Sequence, residues 1–199
     1  MLDQLQTRLQ QHRPWRLSSD LKPRAEAGVI CLLTDEPEPQ VILTQRGGSL
    51  STHAGEVAFP GGKRDPEDEN LLATALREAH EEVGVEPGQV QLLGELSQIY
   101  SLHKLAVTPF VGVVNPDVEL RPNPGEIAAI FKTPLNFLLD LDNARIDKFA
   151  MVDGRTRFVP SWQYQQYEIW GLTAWALAEL LNVGLDAGIP TRPRPERTA

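Results

Sequence analysis

The stretch Gly61 to Val85, GGKRDPEDENLLATALREAHEEVGV, constrains this chain more than any other, because its spacing fits a helix with marked ends. Leu72, Ala75, Leu76, Ala79 and Val83 advance by about 100° per residue onto one narrow apolar stripe, which must face a core. Asp68 or Asn70 supplies an N-cap, and Gly84 is placed to take the left-handed conformation that closes a helix. Glu78, Glu81 and Glu82 are expected on the opposite side. Residues three and four apart are neighbours on a helix, so these carboxylates crowd each other and cost an isolated helix roughly a few tenths of a kcal/mol per pair.

An acidic run on a helix is ordinarily a solvated face. The neighbouring glycines favour another reading. Like-charged carboxylates stay ionised together most readily around a cation, and an all-oxygen ligand set suits Mg²⁺ or Mn²⁺. Such an ion keeps waters and shares its remaining positions with substrate phosphates. Gly61-Gly62 reads as a loop that lets the backbone approach a ligand, ahead of a helix N-terminus whose field favours phosphate oxygens. A metal-bound diphosphate satisfies both features.

Around this helix the chain alternates irregularly between elements. Leu2, Leu5 and Leu9 predict a short amphipathic helix, broken at Arg13-Pro14. AGVICLL (27–33) and QVILTQR (40–46) predict a strand pair, and EVAF (56–59) a short strand. VQLLGELSQIY (90–100) and LAVTPFVGVV (105–114) predict strands that pair through a turn near His103, and DGRTRF (153–158) a hairpin. TPLNFLLDL (133–141) predicts a short helix; GLTAWALAELLNVG (171–184) predicts a longer one with Gly184 as its stop. Strands and helices without regular alternation favour a mixed sheet between helices, α+β or mixed α/β, over a doubly wound parallel sheet.

The length of 199 residues fits one domain, assigned to 1–190, with PTRPRPERTA leaving 191–199 as a flexible tail. A net charge of −8 argues against broad capture of nucleic acid, while leaving room for a local basic pocket. The single cysteine, Cys31 in GVICLL, excludes an intrachain disulfide and suits buried packing. The start lacks a signal-peptide core and no apolar run approaches the roughly 20 residues needed to span a bilayer, so a cytoplasmic protein with no membrane partner is expected.

The same residues resemble a known family. G…REAHEEVGV is similar to the Nudix box, G-x5-E-x7-R-E-U-x-E-E-x-G-U with U a bulky aliphatic. Arg77, Glu78, Glu81, Glu82, Gly84 and Val85 match, while Ala79 is small at the first U. The first half departs from the pattern, with 77 − 62 = 15 positions from Gly62 to Arg77 where the box has 14. Glu69 and Asp68 compete for the first acidic position. Upstream, ILTQRGGSLSTHAGEVAFPGG (42–62) resembles the coenzyme A pyrophosphatase signature LLTxR[SA]xxLxxHxGxVxFPGG, matched at Leu43, Thr44, Arg46, Leu50, His53, Gly55, Val57, Phe59, Pro60, Gly61 and Gly62. Ile42 and Gly47 depart from it, whereas the extra residue after Gly62 is typical of that subgroup.

The resemblance implies a Nudix-like α/β/α sandwich and metal-dependent cleavage of a nucleoside diphosphate. For coenzyme A or its thioesters, the products would be 4′-phosphopantetheine, or its acyl form, and adenosine 3′,5′-bisphosphate. It implies Glu78, Glu81 and Glu82 as metal ligands for Mg²⁺ or Mn²⁺, with the Gly62 carbonyl as an extra ligand and Arg77 orienting the glutamates. Glu126 is the candidate base outside the box. Arg46, Lys63 and Arg64 complement the phosphates in charge, Gly61 and Gly62 line the substrate, and His53 belongs to the signature as a loop-bracing residue. His80 falls at a variable position. ADP-ribose, dinucleotides or nucleoside triphosphates remain alternative substrates, and a sensor without catalysis is the rival from another class. A small molecule is the partner expected, with a homodimer left open.

Overall fold

The computed structural model describes residues 1–18, 20–47, 55–101, 103–150 and 156–191. Leu50, His53, the Asp153-Gly154 turn and nearly all of the expected tail lie outside them. Strand β1 (Ala25–Thr34) is the centre of a mixed sheet. It pairs antiparallel with β2 (Gln40–Arg46) through Leu32 and Leu33, and β2 in turn pairs with the short β3 (Val57–Ala58). The first half of β1 pairs antiparallel with β4 (Gly61–Lys63), placing Gly62 opposite Gly28.

Helix α1 (Leu2–Gln11) precedes this sheet, and α2 (Leu71–Val83) follows β4. After α2 come β5 (Gln91–Glu95), β6 (Ile99–Tyr100) and β7 (Leu105–Val114). Both β5 and β6 pair antiparallel with β7, as the turn near His103 implied. Strand β7 runs parallel to β1 along its whole length, which makes the sheet mixed.

Strand β8 (Ile127–Pro134) pairs antiparallel with β2, although NPGEIAAIFKTP shows no clear alternation to announce it. The short α3 (Leu135–Leu139) follows, then β9 (Ala144–Ala150), β10 (Thr156–Tyr164) and β11 (Tyr167–Ile169), a second, antiparallel sheet. The β9–β10 pairing is the expected hairpin, and Phe131 of β8 stacks on Tyr167 of β11 at 3.8 Å. Helix α4 (Gly171–Leu185) runs past Gly184, which is buried against Leu5 of α1; Asp186 takes the left-handed cap instead.

Alternation along β1 sorts its side chains onto two faces. Ala27, Cys31 and Leu33 join Val41 and Leu43 of β2 beneath α1 and α4, with Leu5, Leu9, Leu177 and Leu181. Ile30 and Leu32 join Ile42, Phe110 and the α2 residues Ala75, Ala79 and Val83 on the other. Helices on both faces of a mixed sheet make the expected α/β/α sandwich. Cys31 is fully buried and desolvation raises its thiol pKa, consistent with packing rather than reactivity. Among the described residues no helix is long and apolar enough to cross a membrane.

Candidate active site

Helix α2 is fixed at both ends by its own sequence. The Asn70 side chain accepts from the Ala73 N–H at 2.9 Å, and Gly84 closes the helix at φ 78°. Seven residues separate β4 from the helix, so Gly61 and Gly62 are a paired strand edge and not a loop leading into the helix N-terminus. They face the second half of α2. The Gly61 N–H donates to Glu82 Oε2 at 3.0 Å, and a Cβ on Gly62 would lie 2.4 Å from Glu78 Oε1. Only glycine lets the strand lie this close to the carboxylate.

The carboxylates do not lie opposite the core stripe. Glu78 follows Ala75 by three positions and Glu82 follows Ala79 by three, which puts both on the flank of the buried face. Glu82 is 3% exposed and the Glu78 side chain 17%, whereas the Glu81 side chain is 52% exposed. Burial pushes the Glu82 carboxyl from its usual 4.5 up to about 7. The Gly61 N–H and the Arg46 guanidinium, whose Nη1 lies 3.5 Å from Oε1, offset that in part, while the charges of Glu78 and Glu126 add to it. Glu78 is raised by the same cause, with Arg77 offsetting and Glu81 and Glu126 adding.

Arg77 sits at the hub of a different arrangement. Its Nη1 lies 3.0 Å from Glu78 Oε1 and 3.1 Å from Glu81 Oε2, and its Nε and Nη2 each donate to the Asp68 carboxylate at 3.0 Å. Asp68 also accepts from the Asp65 N–H at 2.9 Å and the Thr74 hydroxyl at 2.8 Å, which with Arg77 holds its carboxyl well below the usual range. Asp68, not the exposed Glu69, therefore ties the loop to the helix. Its partner Thr74 was not singled out from sequence, because an Asp–Thr pair six apart carries no periodic signal.

Glu126 reaches the same region from a distant part of the chain. The Asn123 N–H donates to the Glu82 carbonyl at 2.9 Å, the Glu126 N–H to the Asn123 carbonyl at 3.0 Å, and the Gly47 N–H to the Glu126 carbonyl at 2.7 Å. These bonds bring Glu126, Arg46 and Glu82 together. The Arg46 Nε is buried without a hydrogen-bond partner among the described residues, in a strand irregularity between Gln45 and Arg46. Asn123 works through its backbone and left no mark in the sequence that could have flagged it.

The two basic residues after Gly62 separate in role. Arg64 donates to the Asp68 carbonyl at 3.1 Å and the Glu69 carbonyl at 3.2 Å and lies 3.5 Å from Glu26, so it braces the loop. Lys63 is exposed and contributes its carbonyl to Arg77 at 3.3 Å. His80 is half exposed and pairs with Glu86 at 3.1 Å, outside this group.

Among the described residues no three His, Cys, Asp or Glu side chains converge on one point where a metal ion could be held, because Glu78 and Glu81 lean on Arg77. The donor chemistry nevertheless fits a hard divalent cation. Ionised Glu78 and Glu82 offer only oxygen acceptors, Glu82 is buried and Glu78 half-buried, burial raises both carboxyls, and Gly62 leaves open the space that a side chain would fill beside Glu78. A positive charge there would stabilise both carboxylates.

A family model described as the NUDIX domain matches residues 23–153. A Photorhabdus laumondii protein named "Uncharacterized Nudix hydrolase NudL" is 41% identical over 167 residues, covering 84% of this chain and 87% of that protein. A Cronobacter sakazakii protein of the same name is 40% identical over 184 residues, covering 92% and 95%. A solved Nudix hydrolase from Alicyclobacillus acidocaldarius shares the fold at 20% identity with a TM-score of 0.50, covering 59% of this chain and 82% of that one. The matched span contains every residue of the candidate site from Arg46 to Glu126, and the chain belongs to the Nudix hydrolase family.

Proposed function

We propose that this Nudix hydrolase cleaves the diphosphate of coenzyme A or its thioesters, releasing 4′-phosphopantetheine or its acyl form and adenosine 3′,5′-bisphosphate. The observation that carries the reading is the pairing of a buried glutamate, Glu82, with the half-buried Glu78 at the Gly61-Gly62 strand edge, with too little positive charge around them. The 42–62 segment narrows the substrate, since its residues resemble the signature of coenzyme A pyrophosphatases.

Glu78, Glu81 and Glu82 would hold Mg²⁺ or Mn²⁺, with the Gly62 carbonyl as a further oxygen donor. A divalent ion so held neutralises charge on the diphosphate and acidifies water. Arg77 orients Glu78 and Glu81 by charge-assisted hydrogen bonds and is itself anchored by Asp68. Glu126, next to Glu82 in the field of the site, accepts a proton from the attacking water. Water adds to one phosphorus, the bond from that phosphorus to the bridging oxygen breaks, and the bridging oxygen leaves with the other phosphate. Arg46, whose Nη1 lies 3.5 Å from Glu82 Oε1, is assigned by its charge to the substrate phosphates.

The test is incubation with coenzyme A, acetyl-coenzyme A, ADP-ribose, NADH and nucleoside triphosphates under Mg²⁺ or Mn²⁺, with products identified by mass. Selective release of adenosine 3′,5′-bisphosphate is expected. Preferential cleavage of ADP-ribose or a triphosphate would overturn the substrate assignment, and no cleavage at all would overturn the enzyme reading.

A further inference from the structure

The segment between β7 and β8, NPDVELRPNPGE (115–126), contains no helix or strand, yet it ends on Glu126. Two turns of the same build bracket it. Asn115 Oδ1 accepts from the Asp117 N–H at 2.8 Å, and the Asn115 carbonyl from the Val118 N–H at 3.0 Å. Asn123 Oδ1 accepts from the Gly125 N–H at 3.0 Å, and the Asn123 carbonyl from the Glu126 and Ile127 N–H groups at 3.0 and 2.8 Å. Each is an Asn-Pro turn in which a side-chain oxygen stands in for a backbone acceptor.

The two turns lead to different places. The first is tied down by Lys132, whose Nζ donates to the Pro116 carbonyl at 2.9 Å, and leads into Val118, packed beside the α2 side of the core. The second is joined to the helix that carries the carboxylates. The last carbonyls of a helix have no partner within it, and here those of Val83 and Glu82 accept from the Arg121 and Asn123 N–H groups at 2.8 and 2.9 Å. Arg121 and Asn123 each precede a proline, which favours extended backbone and turns their alternate N–H groups to the same side.

Asn123 is thus bonded at one end to the Glu82 carbonyl and at the other to Glu126, whose charge is felt at both Glu78 and Glu82. The backbone supplies the N–H and the carbonyl whatever residue stands here. The side chain supplies the third contact. An alanine would leave the Gly125 N–H, one residue before Glu126, without its acceptor and free the turn that aims the carboxylate.

We propose that the Asn123 side chain is a positioning residue for hydrolysis: by closing the turn on the Gly125 N–H it holds Glu126 where it can take the proton of the attacking water. The inference rests on the assignment of Glu126 as the base. Asn123 does not touch the reacting atoms, and its effect passes through Glu126 alone. Opening the turn therefore lowers kcat and leaves KM in place, the pattern of an interaction made only in the transition state.

The test is steady-state kinetics of the full chain at saturating Mg²⁺, with coenzyme A or whichever of the other substrates named above is cleaved faster. Asn123→Ala should lower kcat about tenfold at unchanged KM, on the scale of a misplaced reacting group. Asn123→Ser, which makes a weaker turn of the same kind, should fall between the two and carries the comparison if the alanine variant does not fold. Asn115→Ala opens the matching turn and should lose as much thermal stability as Asn123→Ala while keeping kcat. In Asn123→Ala/Glu126→Gln, kcat should equal that of Glu126→Gln, since nothing is left to position. Losses that multiply in the double variant, an equal loss of kcat in Asn115→Ala, or normal kcat in Asn123→Ala or Asn123→Ser would overturn the role of Asn123. A normal Glu126→Gln removes the base assignment and the positioning role with it, whereas a slow Glu126→Gln beside a normal Asn123→Ala removes the positioning role alone. A wild type that cleaves none of the substrates removes both.

Discussion

Asp68 and Glu82 are both carboxylates withdrawn from water within one turn-and-helix unit, at 9% and 3% exposure, and their surroundings differ in kind. Asp68 accepts from a guanidinium fork, a backbone N–H and a hydroxyl, and its pKa falls well below the usual range. Glu82 has one backbone N–H and a longer approach from Arg46, faces two other carboxylates, and rises to about 7. A carboxylate satisfied by the protein holds structure together. One left short of positive charge at a strand edge is, in the function proposed above, kept for a cation that arrives from outside, and on that reading the difference separates the brace from the chemistry.

Removing the chemistry should cost most. Replacing Glu81 by Gln subtracts a charge from the proposed cation site without disturbing the core, since the side chain is half exposed. Turnover should fall by at least about a hundredfold with the thermal midpoint held, on the scale of losing a metal-held group. Steady-state rates of a folded variant that stay near normal would remove Glu81 from the site.

Removing the brace should act on stability instead. Asp68→Asn leaves Arg77 without its main partner and should destabilise by about 3 kcal/mol, the range for breaking a buried ion pair. The sign follows from the depressed pKa. The contribution of Asp68 is present above the unfolded carboxyl value of about 3.9 and is lost as pH falls through its lower folded value. Urea midpoints of the two proteins should therefore differ most near neutrality and converge in acid.

Glu82 should show the opposite slope. Its folded pKa is raised, so the native state holds the proton longer and stability falls as pH rises from about 4.5 to about 7. At about 1.4 kcal/mol per unit the full effect is on the order of 3 kcal/mol as an upper bound. In chelator, Glu82→Gln should flatten that part of the stability profile. A smaller change is expected from Gly62→Ala, whose Cβ meets the far end of the Glu78 side chain rather than backbone. Turnover should fall about tenfold, since about 1 Å of misplacement is costly at a reacting centre, with little loss of stability.

What was legible in the sequence follows range. The apolar stripe and caps of α2 and the aliphatic runs of β1, β2 and β7 are local signals, and the structure places those elements where the periodicity does. Pairing is not local. Gly61-Gly62 reads as a loop until β1, more than thirty residues earlier, makes it a strand edge. The same pairing turns the flank of α2 inward and buries Glu82. Neither Asp68 nor Glu69 is favoured by spacing alone, and the choice falls to Asp68 once Arg77 and Thr74 converge on it. Glu126 was nominated by resemblance; what brings it to Glu82 is a pair of backbone bonds through Asn123.

The decisive property is the shortage of positive charge at Glu82. Calorimetric titration of Mn²⁺ into the chelator-stripped protein at pH 8, against Glu82→Gln, addresses that directly. The wild type should bind the ion and gain thermal stability, with Glu82→Gln weaker by at least about tenfold, as for loss of a charged ligand. Equal binding by both proteins, or none by the wild type, would contradict it.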